Sequence, residues 1–133
     1  MFKISPVQDE NEARMHIESL GGKYFDGAFT YLMKDLESGK IMGASHFEIG
    51  EKGLIYSILE PQDSDDFEAM FILARQTMNF IDACGAHYCE ADPSYTDARL
   101  LRAIGFRETS GKWSCSLEGM FDGSHCDGKA KEL

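Results

Sequence analysis

The sequence predicts an α/β domain built on a mixed (α+β) sheet, with about seven strands and three helices in the order β-α-β-β-β-α-β-α-β-β. Three observations predict it. Three consecutive strand-like segments between Phe29 and Leu59 are separated by glycine-containing turns. Phe67, Met70, Phe71, Ala74, Met78 and Ile81 then recur at three- and four-residue steps, the signature of a long amphipathic helix. After that helix, a strand, a helix and a terminal hairpin follow. With 133 residues, 43% of them apolar, the chain is long enough for one core and apolar enough to fold.

Taken in order, Phe2 and Ile4 alternate with polar neighbours in a short strand ending at Pro6. Gln8 to Ser19 reads as a helix, with Val7, Ala13, Ile17 and Leu20 at helical spacing and Gly21-Gly22 as its stop. Phe29 to Leu36, Lys40 to Ile49 and Gly53 to Leu59 form an antiparallel meander. A helix spans Asp66 to Asp82 and ends at Cys84-Gly85-Ala86. His87 to Ala91 is a short strand, and Pro93 to Asp97 opens a helix, with Ser94 and Asp97 at capping-box spacing. Gly105 ends that helix, and Phe106 to Thr109 pairs with Lys112 to Leu117 around Ser110-Gly111. One domain covers residues 1–118, and the polar stretch 119–133 is expected to be a loose tail.

The formal charge is −10, from 23 acidic residues against 13 lysines and arginines. That balance argues against nucleic acid and anionic membranes and favours cationic small molecules or basic partners. No export signal or transmembrane-length apolar run is visible, and Cys84, Cys89, Cys115 and Cys126 lack C-x-x-C spacing. Reduced thiols in a cytoplasmic protein are therefore expected.

The segment between Leu59 and Met70 is the most informative. It joins a strand to a helix, where the first helical N–H groups are free to bind an anion. Here the junction carries Glu60, Asp63, Asp65, Asp66 and Glu68 and no glycine. The same acids are good helix-starting residues: Asp63 or Ser64 as N-cap, Asp65 with Glu68 as a capping box, and negative charge complementing the helix dipole.

The element order, together with Leu100-Leu101-Arg102-Ala103-Ile104-Gly105-Phe106-Arg107-Glu108, resembles the GNAT superfamily of acyl-CoA-dependent N-acetyltransferases. Members close their last helix with a similar Leu-Gly-Phe segment. The resemblance implies a seven-stranded sheet whose fourth and fifth strands splay apart to admit acetyl-CoA or another acyl-CoA. The backbone of Ile58 and Leu59 would hold the thioester. The family's pyrophosphate loop reads Arg/Gln-x-x-Gly-x-Gly/Ala after a proline. Setting that proline on Pro61 puts Ser64 at the Arg/Gln position, Asp65 and Phe67 where close backbone approach is needed, and Ala69 at the retained small residue. The tyrosine that protonates the leaving thiolate in many members falls on Leu101, which leaves Tyr95 as the substitute.

Among candidate bases, Glu60 ends the fourth strand, Glu48 and His46 lie on the third, and Glu90 and Asp92 lie on or after the fifth. Glu60 is the best placed by analogy. Strand alternation sets Tyr56 and Ile58 on one face and Ser57 and Leu59 on the other. It also sets His87 and Cys89 together, and the resemblance brings Cys115 beside Cys89. With His125 or Cys126 this makes a Cys/His set in number but not in zinc spacing, so the cysteines are read as small apolar residues and no metal is expected. Two functions follow. One is acyl transfer to a small-molecule amine, with Glu60 as base. The other is a non-catalytic descendant that binds a cationic ligand or a protein partner. The first strand or the terminal hairpin offers an edge for a homodimer.

Overall fold

The computed structural model describes residues 1–95 and 97–121. A seven-stranded sheet runs in the order β1-β2-β3-β4-β5-β7-β6. Its strands are β1 (Phe2–Pro6), β2 (Phe29–Asp35), β3 (Ile41–Ile49), β4 (Gly53–Leu59), β5 (Tyr88–Ala91), β6 (Arg107–Thr109) and β7 (Lys112–Ser116). Three helices accompany it: α1 (Glu10–Ser19), α2 (Phe67–Ala83) and α3 (Ala98–Ile104). Every ladder is antiparallel except that between β4 and β5, which α2 connects as a crossover.

α2 and α3 cover one face of the sheet and α1 the other. The α2 stripe of Ala69, Met70, Leu73, Ala74, Thr77, Met78 and Ile81 is buried against Phe47, Ile55, Cys89 and Ala91. Leu73, Met78 and Ile81 are fully buried, and each such side chain contributes about 2 kcal/mol. The smaller core under α1 joins Ala13 and Ile17 to Tyr24, Leu32 and Ala44.

The seven strands and three helices stand where the sequence predicts them, with ends shifted by one or two residues, except for the start of α3. The carboxylate of Asp92 accepts the N–H of Ser94 at 3.0 Å and Tyr95 N–H bonds the Asp92 carbonyl at 2.9 Å. Pro93 to Tyr95 is therefore a turn closed by Asp92. The cap is Asp97, which accepts the N–H of Leu100 at 3.1 Å, and Ser94 takes no part in it. In the terminal hairpin, Ser110 (φ 53°) and Gly111 (φ 80°) both adopt positive φ, as a two-residue hairpin loop requires.

Packed structure continues past Glu118: Met120 and Phe121 lie against the main core, and Arg75 stacks over the Phe121 ring. His125 and Cys126 lie outside the described residues. His87 precedes β5, is exposed, and pairs with Asp82 at 2.6 Å, while Cys89 is buried beside its register partner Cys115. His87 and Cys89 thus do not share a site. Burial raises both buried thiols, that of Cys89 to about 12, which keeps them protonated and unreactive. Among the described residues no three His, Cys, Asp or Glu side chains come together as a metal site, and no helix is long and apolar enough to cross a membrane.

Candidate functional site

The site is made by a break in the sheet. β4 and β5 pair over three rungs, Gly53↔Cys89, Leu54↔Glu90 and Ile55↔Ala91, and a last bond runs from Asp92 N–H to the Ile55 carbonyl at 2.8 Å. β5 ends at Ala91, and Pro93 turns the chain away. From Ser57 to Leu59, β4 keeps its ladder with β3, and among the described residues no strand pairs with its other side from Tyr56 onward. An unpaired strand edge is thus exposed at the carboxyl end of the parallel pair, where α/β folds commonly bind ligands.

A bulge aims the side chains there. The β3–β4 register shifts so that His46 pairs with Ser57 but Phe47 pairs with Ile55, leaving Tyr56 as the extra residue. Simple alternation therefore fails. Ile58 is buried in the core under α2, whereas Tyr56 faces Glu48, Phe25 and His46 on the opposite side. The Tyr56 hydroxyl donates to the Glu48 carboxylate, and Phe25 stacks on the Tyr56 ring at 3.9 Å between centroids. Burial, the bond to Glu48 and the charges of Glu48 and Asp92 push the Tyr56 phenol up to about 12.

His46 is completely buried, and both ring nitrogens are engaged. Nε2 accepts the Phe25 N–H at 2.9 Å; Nδ1 lies 2.9 Å from the Phe29 carbonyl and 3.1 Å from the Thr30 hydroxyl. An acceptor at Nε2 and a carbonyl at Nδ1 assign the neutral imidazole with its proton on Nδ1. Burial lowers its pKa. His46 is consequently a fastener that pins the connection carrying Phe25 over β4, with no free lone pair to serve as a base. Beside it, the Ser57 hydroxyl is buried and finds no hydrogen-bond partner among the described residues. An orphaned polar atom in a packed interior is rare.

The strand-to-helix junction is closed by its own side chains. Glu60 accepts the Asp66 N–H at 2.6 Å and the Ser64 hydroxyl at 3.1 Å. Asp66 is the N-cap and accepts the Ala69 N–H at 3.0 Å. The cap is therefore Asp66, and neither Asp63 nor Ser64. Glu60, the base expected from its strand-end position, is turned into the loop as a second cap. Asp63 and Asp65 remain exposed. Of the anticipated cofactor contacts, Ser64 is tied to Glu60, and the Ala69 N–H is taken. Leu59 packs on the α1 core over Gly22, and Ile58 and Leu59 offer only backbone to the gap. A diphosphate does not fit this junction: two of its N–H donors are occupied by carboxylates, and further carboxylates surround it.

Past β5, half-buried Tyr95 rests on the main core and also lines a cavity of about 540 Å³ with Leu54, Glu90, Asp92, Lys112 and Trp113. Burial, with the charges of Asp97 and Glu60, raises the Tyr95 phenol well above its ordinary value, so it stays protonated. In the same cavity Glu90 receives Lys52 at 2.9 Å and Lys112 at 3.3 Å. The hydrogen bond from Lys52, reinforced by Lys112, holds its carboxyl below the usual range. A second cavity of about 450 Å³, walled by Phe29, Tyr31, Phe47 and Phe80, lies away from the parted strands.

Sequence reasoning missed Tyr56, Ser57 and Phe25 as site residues. A bulge leaves no sequence signal in a strand as uniform as Gly-Leu-Ile-Tyr-Ser-Ile-Leu.

No family model and no curated protein matches the chain. Solved structures do. The ribosomal-protein-S18-alanine N-acetyltransferase of Escherichia coli is similar at TM-score 0.66 and 11% identity, over 88% of this chain and 94% of that one. The IAA acetyltransferase of Bacillus cereus aligns at TM-score 0.60 and 15% identity, over 83% and 79%. N-acetylglutamate synthase of Neisseria gonorrhoeae, solved with coenzyme A and N-acetylglutamate, aligns at TM-score 0.61 and 12% identity, over 83% of this chain and 29% of that one. The fold is therefore that of the GNAT acetyltransferases.

Proposed function

We propose that this protein transfers an acyl group from a thioester to the amine of a small molecule. The observation that carries the reading is the parted edge of β4, Tyr56 to Leu59, on a GNAT fold. The pantetheine arm of an acyl thioester is an extended chain with two amides, and it suits such an edge as an added strand would. The amine nitrogen attacks the thioester carbonyl carbon, the C–N bond forms and the C–S bond breaks. Holding the two reactants in line supplies much of the rate.

Glu48, Tyr56 and Phe25 form the acceptor side. The carboxylate and the stacked rings attract an ammonium, and Glu48 takes up the proton that the amine loses. With its carboxylate spent on two loop hydrogen bonds, Glu60 is a positioning residue. Tyr95 donates a hydrogen bond to the departing sulfur. Its raised pKa exceeds a thiol's value of about 8.5, so it steadies the thiolate without surrendering its proton.

The test is release of free thiol from an acetyl thioester in the presence of a panel of small amines. Glu48→Gln is expected to lower kcat/KM roughly 100-fold. Thiol release no faster than hydrolysis for every amine would overturn the reading. It would leave the second one, a cleft that binds a cationic ligand without chemistry, which the acidic junction favours.

Ser57→Ala separates stability from function. Removing an unsatisfied buried hydroxyl should leave the melting temperature unchanged or raise stability by about 1 kcal/mol. If the hydroxyl bonds the bound thioester, kcat/KM should fall about tenfold in the same variant.

A further inference from the structure

We infer that the acyl donor is recognised through its pantetheine arm alone, and that the nucleotide diphosphate of coenzyme A adds nothing to binding here. This rests on the acyltransferase reading and names the donor class: thioesters whose far end is neutral or cationic. An arm laid along the open edge of β4 with its thioester by Tyr56 and Ser57 runs toward Leu59. Its far end then meets the junction of Glu60 to Asp66. Of the N–H groups with which that junction could bind an anion, two are already taken by carboxylates. The Asp66 N–H is held by Glu60 at 2.6 Å, and the Ala69 N–H by Asp66 at 3.0 Å. Exposed Asp63 and Asp65 add negative charge. The nearby cations do not cancel it. The Arg99 guanidinium lies over the Phe67 ring, 4.0 Å from its centroid, and Lys40 shares a surface hollow with Asp35, Asp63 and Asp66, so two cations stand against the carboxylates of Glu60, Asp63, Asp65, Asp66 and Glu68. The bulk of Phe67 stands where a diphosphate would need bare backbone.

The sign of the salt effect distinguishes this from ordinary cofactor binding. A diphosphate held by cations and N–H dipoles loses affinity as salt rises; one repelled by carboxylates gains it, because screening weakens the repulsion.

The experiment compares acetyl-CoA with S-acetylpantetheine as donors to one amine, and CoA with pantetheine by calorimetry, at about 20 and 200 mM salt. The expected result is kcat/KM values and affinities within about threefold of each other, with those of the CoA compounds rising at higher salt. Asp63→Asn, Asp65→Asn and Asp66→Asn combined keep the cap, since asparagine caps as well as aspartate. In that variant CoA should become at least fivefold favoured over pantetheine, with the melting temperature as the check on folding. A tenfold preference for CoA in the unaltered protein, CoA binding that weakens with salt, or a variant whose preference does not move would each overturn the inference. So would failure of both CoA and pantetheine to bind. Thiol release from neither donor while pantetheine binds as well as CoA would sink the transferase reading and leave this recognition standing.

Discussion

Replacing His46 with leucine should lower stability by about 3 kcal/mol, a fall of roughly 10 °C in melting temperature for a chain of this size. Leucine fills similar space but can neither accept the Phe25 N–H nor donate to the Phe29 carbonyl, and both groups lie beside a fully buried position. Each orphaned group costs about 1–3 kcal/mol. The connection carrying Phe25 should loosen, and with it the ring stacked on Tyr56. The imidazole also sets a pH dependence. Its folded-state pKa is depressed by burial below the unfolded value of about 6.5. Its contribution is therefore fully present above pH 6.5 and is lost as pH falls from there through the folded-state value, because the unfolded chain binds the proton first. Chemical denaturation between about pH 5 and 8 should show stability falling below 6.5 in the natural protein. The leucine variant should lack that component; an unchanged profile would mean another group sets it.

Gly43→Ala should cost about 2 kcal/mol and reduce acyl transfer at least tenfold. A β-carbon on Gly43 would lie 2.5 Å from Met70 Cε, 2.8 Å from the Leu59 carbonyl oxygen and 3.3 Å from Leu73 Cδ2. The methionine can swing aside. The carbonyl belongs to the backbone of β4 at the end of its open edge, and it can yield only if the strand shifts. A shift of that kind moves the surface that positions the thioester, and small displacements carry large rate penalties. Comparing kcat/KM well below the melting temperature separates the two effects. Full activity in a merely less stable variant would argue that the end of β4 does not position the donor.

Most of the fold could be read from the sequence because burial dictates pattern. The α2 stripe repeats at helical steps since it faces one core, and the glycine turns at Gly39 and Gly50 to Gly53 mark the meander. What escaped the sequence was local competition between equivalent donors and acceptors. Four consecutive residues, Asp63 to Asp66, can each cap a helix, and only three-dimensional closure selects Asp66 with Glu60 behind it. Ser94 likewise has cap chemistry, but Asp92 captures its N–H first. The bulge at Tyr56 separates its side chain from that of Ile58, with which alternation groups it. His46 reads as a base by residue type and is disqualified only by its three partners.

The three-rung parallel ladder between β4 and β5 has a consequence for how the molecule assembles. Among the described residues it is the single seam joining two parts of the sheet, each built from antiparallel neighbours: the β1–β4 meander, and β5 with β7 and β6. Closing that seam requires the whole α2 crossover to be traversed first, so it forms late while the meander forms early. With only three rungs, the seam is held by few backbone bonds, and its opening would separate the two halves of the sheet. The Asp92 amide, which bonds the Ile55 carbonyl at 2.8 Å across the seam, should therefore exchange faster than the amides of β3. The few bonds that border the parted strands would then also be the ones whose loss divides the sheet in a sub-global opening.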